Sequence, residues 1–280
     1  MLYLIATPIG NLADITLRAL DTLKACDYVL CEDTRHTGPL LTHYEIHKPL
    51  KSFHKFNESF KEERIIEDLQ AGQTIALVSD AGTPGISDPG AKLVQRCLDV
   101  GIQVTSIPGP CAAIMAISCS GFDTTRFQFL GFLPRKSSEL RRTLQDLLTY
   151  PGTTICYESP FRILDVLQVM KELAPARKIA VARELTKKFE EIKRGTADEL
   201  MTYWETHPLK GEIVLLISGE QNAPVNDWEQ LSPEEHVALL EKTYQLSRHD
   251  AIKMAAEIRG VPKRTIYNTV IRDRNDPDTL

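Results

Sequence analysis

Three loops rich in glycine and proline hold the residues most able to do chemistry: Thr7-Pro8-Ile9-Gly10-Asn11, the stretch Ser-Asp-Ala-Gly-Thr-Pro-Gly-Ile-Ser-Asp-Pro-Gly over 79–90, and Pro108-Gly109-Pro110-Cys111-Ala112-Ala113. Each follows a short apolar run of β type, and in open α/β sheets ligands bind beyond the strand carboxyl ends. Glycine lets backbone approach a ligand closely and proline stiffens that approach. The second loop is far longer than the ~2–6 residues of an ordinary βα connection, which marks it as a binding loop. Ala112 and Ala113, small and at a helix start, would admit a bulky planar group. Neither GxxxxGK[ST] nor a GxGxxG opening the first helix is present, so nucleotide hydrolysis and dinucleotide binding of the common kinds lose their support.

Two polar clusters follow predicted strands. Glu32-Asp33-Thr34-Arg35 and Arg183-Glu184-Leu185-Thr186-Lys187-Lys188 offer Asp33 or Glu184 to orient or deprotonate a hydroxyl, and Arg35, Lys187 and Lys188 to hold phosphates or steady a developing negative charge. His36, His43, His47 and His54 fall in one stretch, but the glutamate of His43-Tyr-Glu-Ile-His47 stands in the wrong place for a zinc-peptidase helix, and no metal is expected.

The elements that must position these loops alternate. Strands are predicted over 2–6, 28–31, 74–79, 103–107 and 127–132, with helices over 14–25, 61–69, 91–100 and 111–118, a pattern of α/β class with a mainly parallel sheet covered on both faces. A proline-containing basic stretch over 133–152 reads as a hinge. A second α/β series follows, with strands over 153–157, 178–182, 189–193 and 212–218 and helices over 161–173 and 197–206. A polar, turn-rich stretch over 219–230 precedes an all-helical remainder. The expected domains are 1–133, 134–220 and 230–280.

The 280 residues are 42% hydrophobic and 25% charged with net charge −5, a composition that folds around real cores and is far from disorder. No charge-free run approaches the ~20 residues of a membrane helix, and the N-terminus lacks the basic start and long apolar stretch of a secretory signal. Six isolated cysteines, with no CxxC pair, agree with a reducing compartment, so a cytoplasmic protein without membrane contact is expected. The acidic total conceals two basic stretches. Arg135, Lys136, Arg141 and Arg142 face only Glu139 over 134–142, a local charge of +3. Over 248–274 seven cations face three carboxylates, a local charge of +4. The second stretch reads as helix, Gly260 turn, then a helix carrying Lys263, Arg264 and Tyr267, like a helix-turn-helix unit able to place cations on phosphates.

The start Leu-Tyr-Leu-Ile-Ala-Thr-Pro-Ile-Gly-Asn-Leu-Ala-Asp-Ile-Thr, then Cys-Glu-Asp-Thr-Arg, the 79–90 loop and Pro-Gly-Pro-Cys-Ala-Ala together resemble the tetrapyrrole-methylase superfamily. Within it they resemble the ribosomal RNA branch that methylates a cytidine ribose 2′-oxygen. The likeness continues through Tyr157-Glu158-Ser159-Pro160-Phe161-Arg162, the 183–188 cluster and Gly211-Glu212-Ile213-Val214-Leu215, and so covers essentially the whole chain. It implies two α/β/α domains with S-adenosyl-L-methionine in the cleft between them, a homodimer, and 16S rRNA or the small ribosomal subunit as partner. Carried over by residue, it assigns the cofactor to Pro8, Ile9 and Gly10, to Asp80, Ala81, Gly82, Thr83, Pro84, Gly85 and Ile86, to Ala112 and Ala113, and to Tyr157 and Ala182. Where the small-molecule branch commonly has Gly-Asp-Pro, this chain has Gly82-Thr83-Pro84, which leaves open the polar atom that meets the methionine part. With an RNA substrate, Arg35, Arg135, Lys136, Arg141, Arg142, Lys188, Lys263 and Arg264 become phosphate contacts, and Asp33, Glu184 and Lys187 the catalytic candidates. A tetrapyrrole or other small-molecule methylase would need neither basic stretch. A DNA-binding regulator using the tail would leave most of the chain unexplained.

Overall fold

Successive side chains of a β-strand point to opposite faces, so unbroken apolar strands must be covered on both sides. In the computed structural model, which describes residues 1–54, 58–207, 209–219, 231–244 and 246–272, β1 (Leu2–Ile5), β2 (Tyr28–Cys31), β3 (Leu50–Ser52), β4 (Ile75–Val78) and β5 (Val104–Ile107) form a parallel sheet in the order β3-β2-β4-β1-β5. Tyr28, Leu30, Ile75 and Leu77 enter one core with Leu69 of α3 (Glu58–Gln70) and Leu93 of α4 (Ala91–Asp99). Their neighbours Val29, Cys31, Ala76 and Val78 enter the other, with Leu23 of α1 (Leu17–Ala25) and Leu41 of α2 (Thr34–His43). The period of two in the sequence thus becomes two cores on two faces.

A second, mixed sheet follows, in the order β6-β7-β10-β8-β9. β6 (Phe127–Phe132) runs parallel to β7 (Thr153–Glu158), while β10 (Ile213–Ile217) is antiparallel to β7 and to β8 (Ile179–Arg183), which pairs with β9 (Glu191–Gly195). One face carries α5 (Ala112–Ser120), whose Ala113, Ala116 and Ile117 pack on Ile155, Ala182 and Val214. The other carries α6 (Ser137–Leu148), α7 (Ile163–Leu173) and α8 (Ala197–Thr206) over a core that includes Leu144, Val166, Leu167 and Trp204.

The change of sheet therefore precedes the expected boundary at 133, because α5 and β6 already belong to the second sheet. The expected hinge over 133–152 is largely α6, packed through buried Leu140, Leu144 and Leu147. α2 and β3 were not legible in the sequence, since α2 contains Gly38 and Pro39 and β3 is three residues long.

Residues 1–219 form one compact unit and the remainder a second. Most of the expected 219–230 boundary lies outside the described residues, as does Arg274. The second unit has α9 (Pro233–Tyr244), α10 (Arg248–Arg259) and α11 (Lys263–Arg272) around Val237, Ile252, Ala255, Ile266 and Val270. Gly260, at φ 63°, closes α10 in the left-handed conformation that ends helices and turns the chain into α11. Among the described residues no helix is long and apolar enough to cross a membrane.

Candidate active site

The three loops at the carboxyl ends of the first sheet are pinned to one another. Thr7 and Gly82 exchange backbone hydrogen bonds of 2.9 and 3.0 Å, joining the first loop to the second. Thr83 Oγ1 donates to the Pro110 carbonyl at 3.1 Å, joining the second to the third. A Cβ on Gly109 would stand 2.8 Å from the Ala6 Cβ, so glycine there lets the third loop close on the first. The far end of the second loop is held from below: the Gly90 N–H donates to Oε1 of the buried Glu58 at 3.2 Å.

Beside this junction lies a cavity of about 390 Å³ whose opposite wall is the second sheet, at the end of β7 and the start of β10. Of the residues assigned to the cofactor from sequence, Ile9, Asp80, Ala81, Gly82, Thr83, Ile86, Ala112 and Tyr157 line it. Pro8 and Gly10 instead line a neighbouring recess of about 310 Å³ with His36 and His43, and Asp80 belongs to both. Pro84 is buried and Gly85 takes φ 81°, so both shape the loop. Ala113 and Ala182 face away into the core beneath, where Ala182 is the register partner of Val214, itself a wall residue. The sequence reading missed Asp88, Cys111, Phe132, Glu158, Leu185 and the start of β10. Asp88 and Glu158 were visible in the quoted motifs, whereas Val214 reaches the wall only through a strand pairing that no local pattern encodes.

The electrostatics separate the carboxylates. Burial, with the charges of Glu32 and Asp80 behind it, pushes the Asp88 carboxyl from its ordinary 3.8 to about 6, against an opposing hydrogen bond with Ser79. Glu32 is raised by burial and by Asp80. Asp33 goes the other way. It does not line the cavity, its carboxylate takes three hydrogen bonds from the Arg35 side chain, at 2.6 to 3.1 Å among Nε and Nη2, and that guanidinium holds it down to about 2. Burial lifts the Tyr157 phenol to about 12, so it stays protonated.

The 183–188 cluster is a bridge between the lobes. Glu184 and Thr186 occupy the left-handed region at φ 50° and 66°, a strained state for side-chain-bearing residues that concentrates at functional sites. Lys187 Nζ donates at 2.9 Å to both Glu184 and Glu212, and the Glu212 N–H donates to Glu184 at 3.2 Å. Burial raises the Glu184 carboxyl, but these donors more than offset it and leave it below its ordinary value. Burial likewise lowers Lys187, and its two carboxylates carry it above. The Asn11 N–H donates to Thr186 Oγ1 at 3.0 Å, and a Cβ on Gly10 would collide with Lys187, so the bridge closes on the first loop.

Of the remaining predicted cations, Lys136 pairs with Glu139 at 3.0 Å and Arg141 with Glu172 at 2.6 Å, while Arg135 and Arg142 are exposed. Lys188 lies 5.7 Å over the Phe189 ring, Lys263 contacts His249 at 2.7 Å, and Arg264 is exposed at the start of α11. No three His, Cys, Asp or Glu side chains among the described residues stand together to hold a metal ion.

Two open α/β lobes with a loop-built cavity at their strand ends define a protein that handles a small cofactor in a cleft, and residues 1–201 match the model of the tetrapyrrole (corrin/porphyrin) methylases. The chain belongs to that family, whose methyl donor is S-adenosylmethionine. It is 46% identical to the ribosomal RNA small subunit methyltransferase I of Halalkalibacterium halodurans over 95% of this chain and 93% of that protein. It is 44% identical to the protein of the same name from Escherichia coli O157:H7, over 98% and 95%. Among solved structures, a uroporphyrin-III-C-methyltransferase from Thermus thermophilus matches with a TM-score of 0.54 at 20% identity, over 78% of this chain and 93% of that one, which establishes the common fold. The cavity fits the family's donor. Gly82, at φ 82°, brings backbone to its edge, apolar Ile9, Ala112, Leu185 and Val214 would suit a planar group, and Asp80 and Asp88 would suit positive charge.

Proposed function

We propose that this chain is a methyltransferase of small-subunit ribosomal RNA that acts on the ribose 2′-hydroxyl of a cytidine. The observation that carries the RNA substrate is the reach of the similarity, and the ribose 2′-hydroxyl of a cytidine rests on the resemblance of the loop motifs. The methylase family model ends at residue 201, but the identity to the ribosomal RNA methyltransferases runs over 95% or more of the chain and so takes in the helical unit with its basic helix. A small substrate gives no reason to keep that unit.

S-adenosylmethionine, when bound, supplies a methyl group on a sulfonium, transferred in line to an oxygen. Ile9, residues 80–83, Ala112 and Tyr157 would hold it, and fixing acceptor and donor in line is worth ~7–11 kcal/mol. Methylation of a ribose hydroxyl would require its proton to leave to a group of the protein or to water. Asp88 is the acceptor for that proton, because it lines the cavity, is ionised at neutral pH, and is more basic than either carboxylate read from sequence. Asp33 is neutralised by Arg35 and turns that guanidinium into a fixed phosphate contact. Glu184 and Lys187 neutralise each other and brace the 183–188 segment, whose Thr186 takes the Asn11 N–H from the first lobe. The family resemblance supports a homodimer in the cytoplasm.

The test is to incubate the protein with labelled S-adenosylmethionine and small subunits from cells lacking the activity, and then to map the label. A single cytidine whose 3′ linkage resists alkali is expected. Label on a base, or none in RNA, would refute the reading.

A further inference from the structure

Two of the four histidines grouped in the sequence meet at the recess that adjoins the donor cavity. His36, Leu40 and His43, spaced i, i+4, i+7, lie on one face of α2, and with Pro8, Leu12 and Asp80 they help to enclose about 310 Å³. That volume is small for a ligand site and suits a single group of nucleoside size. Its walls are braced in advance. The Tyr44 hydroxyl donates to the Leu12 carbonyl, and the Tyr44 ring meets the His43 ring edge-on with centroids 4.8 Å apart, which ties the end of α2 to the first loop. Pro8 and Thr37 line the recess and are buried, whereas Leu12, His36 and His43 are exposed, so the hollow is closed below and carries imidazoles at its mouth. His36 Nδ1 stands 3.3 Å from Asp80 and 3.8 Å from Asp33, which leaves the Nε2 edge and the ring faces for a ligand. Pro8 and Gly10 line the recess, Ile9 between them lines the cavity, and Asp80 belongs to both. A group in the recess is therefore one side chain away from the cavity.

We propose that this recess seats the acceptor nucleotide, with its base against Leu12, Leu40 and the His43 imidazole and its ribose at Asp80, where the 2′-hydroxyl meets the donor cavity. The inference rests on the RNA methyltransferase reading and deepens it. Unstacked RNA bases are held on aromatic faces, imidazole included, and the apolar residues beside His43 suit the rest of a flat ring. The Asp80 carboxylate only accepts hydrogen bonds, so it fits a hydroxyl-bearing sugar and repels a phosphate. The phosphate falls to Arg35, which precedes His36 in the first turn of α2, is exposed and is held in place by Asp33. Asp80 also stands close enough to Asp88 to act on its charge, so a ribose at Asp80 brings its hydroxyl toward the proposed proton acceptor. The methionine end of the donor is the competing occupant, because its ammonium would also suit Asp80, but the Leu40 and His43 stripe offers that end no partner.

Crosslinking of the unmodified protein tests the seat. Small subunits reconstituted with 5-iodocytidine at the labelled position are irradiated with the protein in the presence of S-adenosylhomocysteine. The crosslink is expected in the tryptic peptide that begins at His36, and crosslinks confined to other peptides would overturn the proposal. His43→Ala, at an exposed position, should raise KM for the subunit about 5–10-fold, the lower range for one stacked base, with kcat and donor affinity within about twofold. His43→Phe restores a ring face and should return KM close to the wild-type value. An unchanged KM in His43→Ala would overturn the base seat. Weakened affinity for S-adenosylmethionine at constant subunit KM would assign the recess to the methionine end of the donor and would overturn it as well. Wild-type protein that puts no label in RNA would remove the proposed function and this seat together, whereas labelled RNA with the crosslink elsewhere removes the seat alone.

Discussion

Asp88→Asn should cost activity and add stability, and the two effects have one cause. The fold holds the Asp88 carboxyl at about 6 against an ordinary 3.8, chiefly by burial next to Glu32 and Asp80. That difference corresponds to about 3 kcal/mol favouring the neutral form in the folded state, and partial solvent contact reduces the expected effect to about 1–2 kcal/mol. The sign follows from linkage. A carboxyl raised on folding stabilises the protein below pH ~4, where both states are protonated, and that contribution is lost as pH rises through ~6. Asparagine is neutral throughout, so the variant should gain about 1–2 kcal/mol near pH 8, roughly 2–6 °C in melting temperature, and close to nothing near pH 4. Its kcat should fall by 10²–10⁴-fold, the usual contribution of a general base, and the acid limb near pH 6 in the wild-type kcat/KM profile, which reports the free enzyme, should vanish. Calorimetric melts at the two pH values and a kcat/KM pH profile with small subunits give the answer. A variant that melts lower than wild type near pH 8, or that keeps an acid limb near 6, would show that Asp88 is neither electrostatically strained nor the proton acceptor.

Gly211→Ala should destabilise the first unit by about 1–3 kcal/mol, because Gly211 sits at φ 85° and its Cβ would collide with the Glu184 carboxylate; melting with no loss would mean that the lobe bridge is not tight. Replacing Lys263 and Arg264 together with alanine should leave melting unchanged while lowering rRNA affinity, with the slope of log K against log salt falling by about two; an unchanged slope would remove the helical unit from RNA docking.

What the sequence revealed follows from how local each signal is. Four of the first sheet's five strands were legible because their buried runs and glycine turns are contiguous, and the loops met as the rule for open sheets demands. The swap of α5 and β6 to the second sheet was not, since a strand's partner is set by nonlocal pairing, here Phe127 with Thr153. The cavity followed the same division. Residues from the three loops were found by their glycines, whereas the opposite wall at Leu185, Gly211 and Val214 comes from strands joined only in space. Asp33, Glu184 and Lys187 were chosen as charged residues near strand ends, and the sequence could not show that each is already neutralised by a neighbour.

The acidic total and the basic stretches then have separate uses. Burial and the nearby charge of Asp80, with Glu32 acting on Asp88 as well, raise the proton affinity of Glu32 and Asp88, which is unfavourable without a cation and favourable with one. A bound sulfonium and ammonium would relieve that repulsion and draw the carboxyls back toward their ordinary range, so donor binding must release protons where they are partly protonated. Affinity for S-adenosylmethionine should accordingly fall below pH ~6, by at most about tenfold per pH unit per proton, and stay level between pH ~7 and ~8. Calorimetry in two buffers of different ionisation enthalpy should find proton release near pH 6 and little near pH 8. An affinity that is flat from pH ~5 to ~8 would mean that the carboxylates do not face the donor's charge, and the cofactor would have to lie elsewhere than beside Asp80 and Asp88.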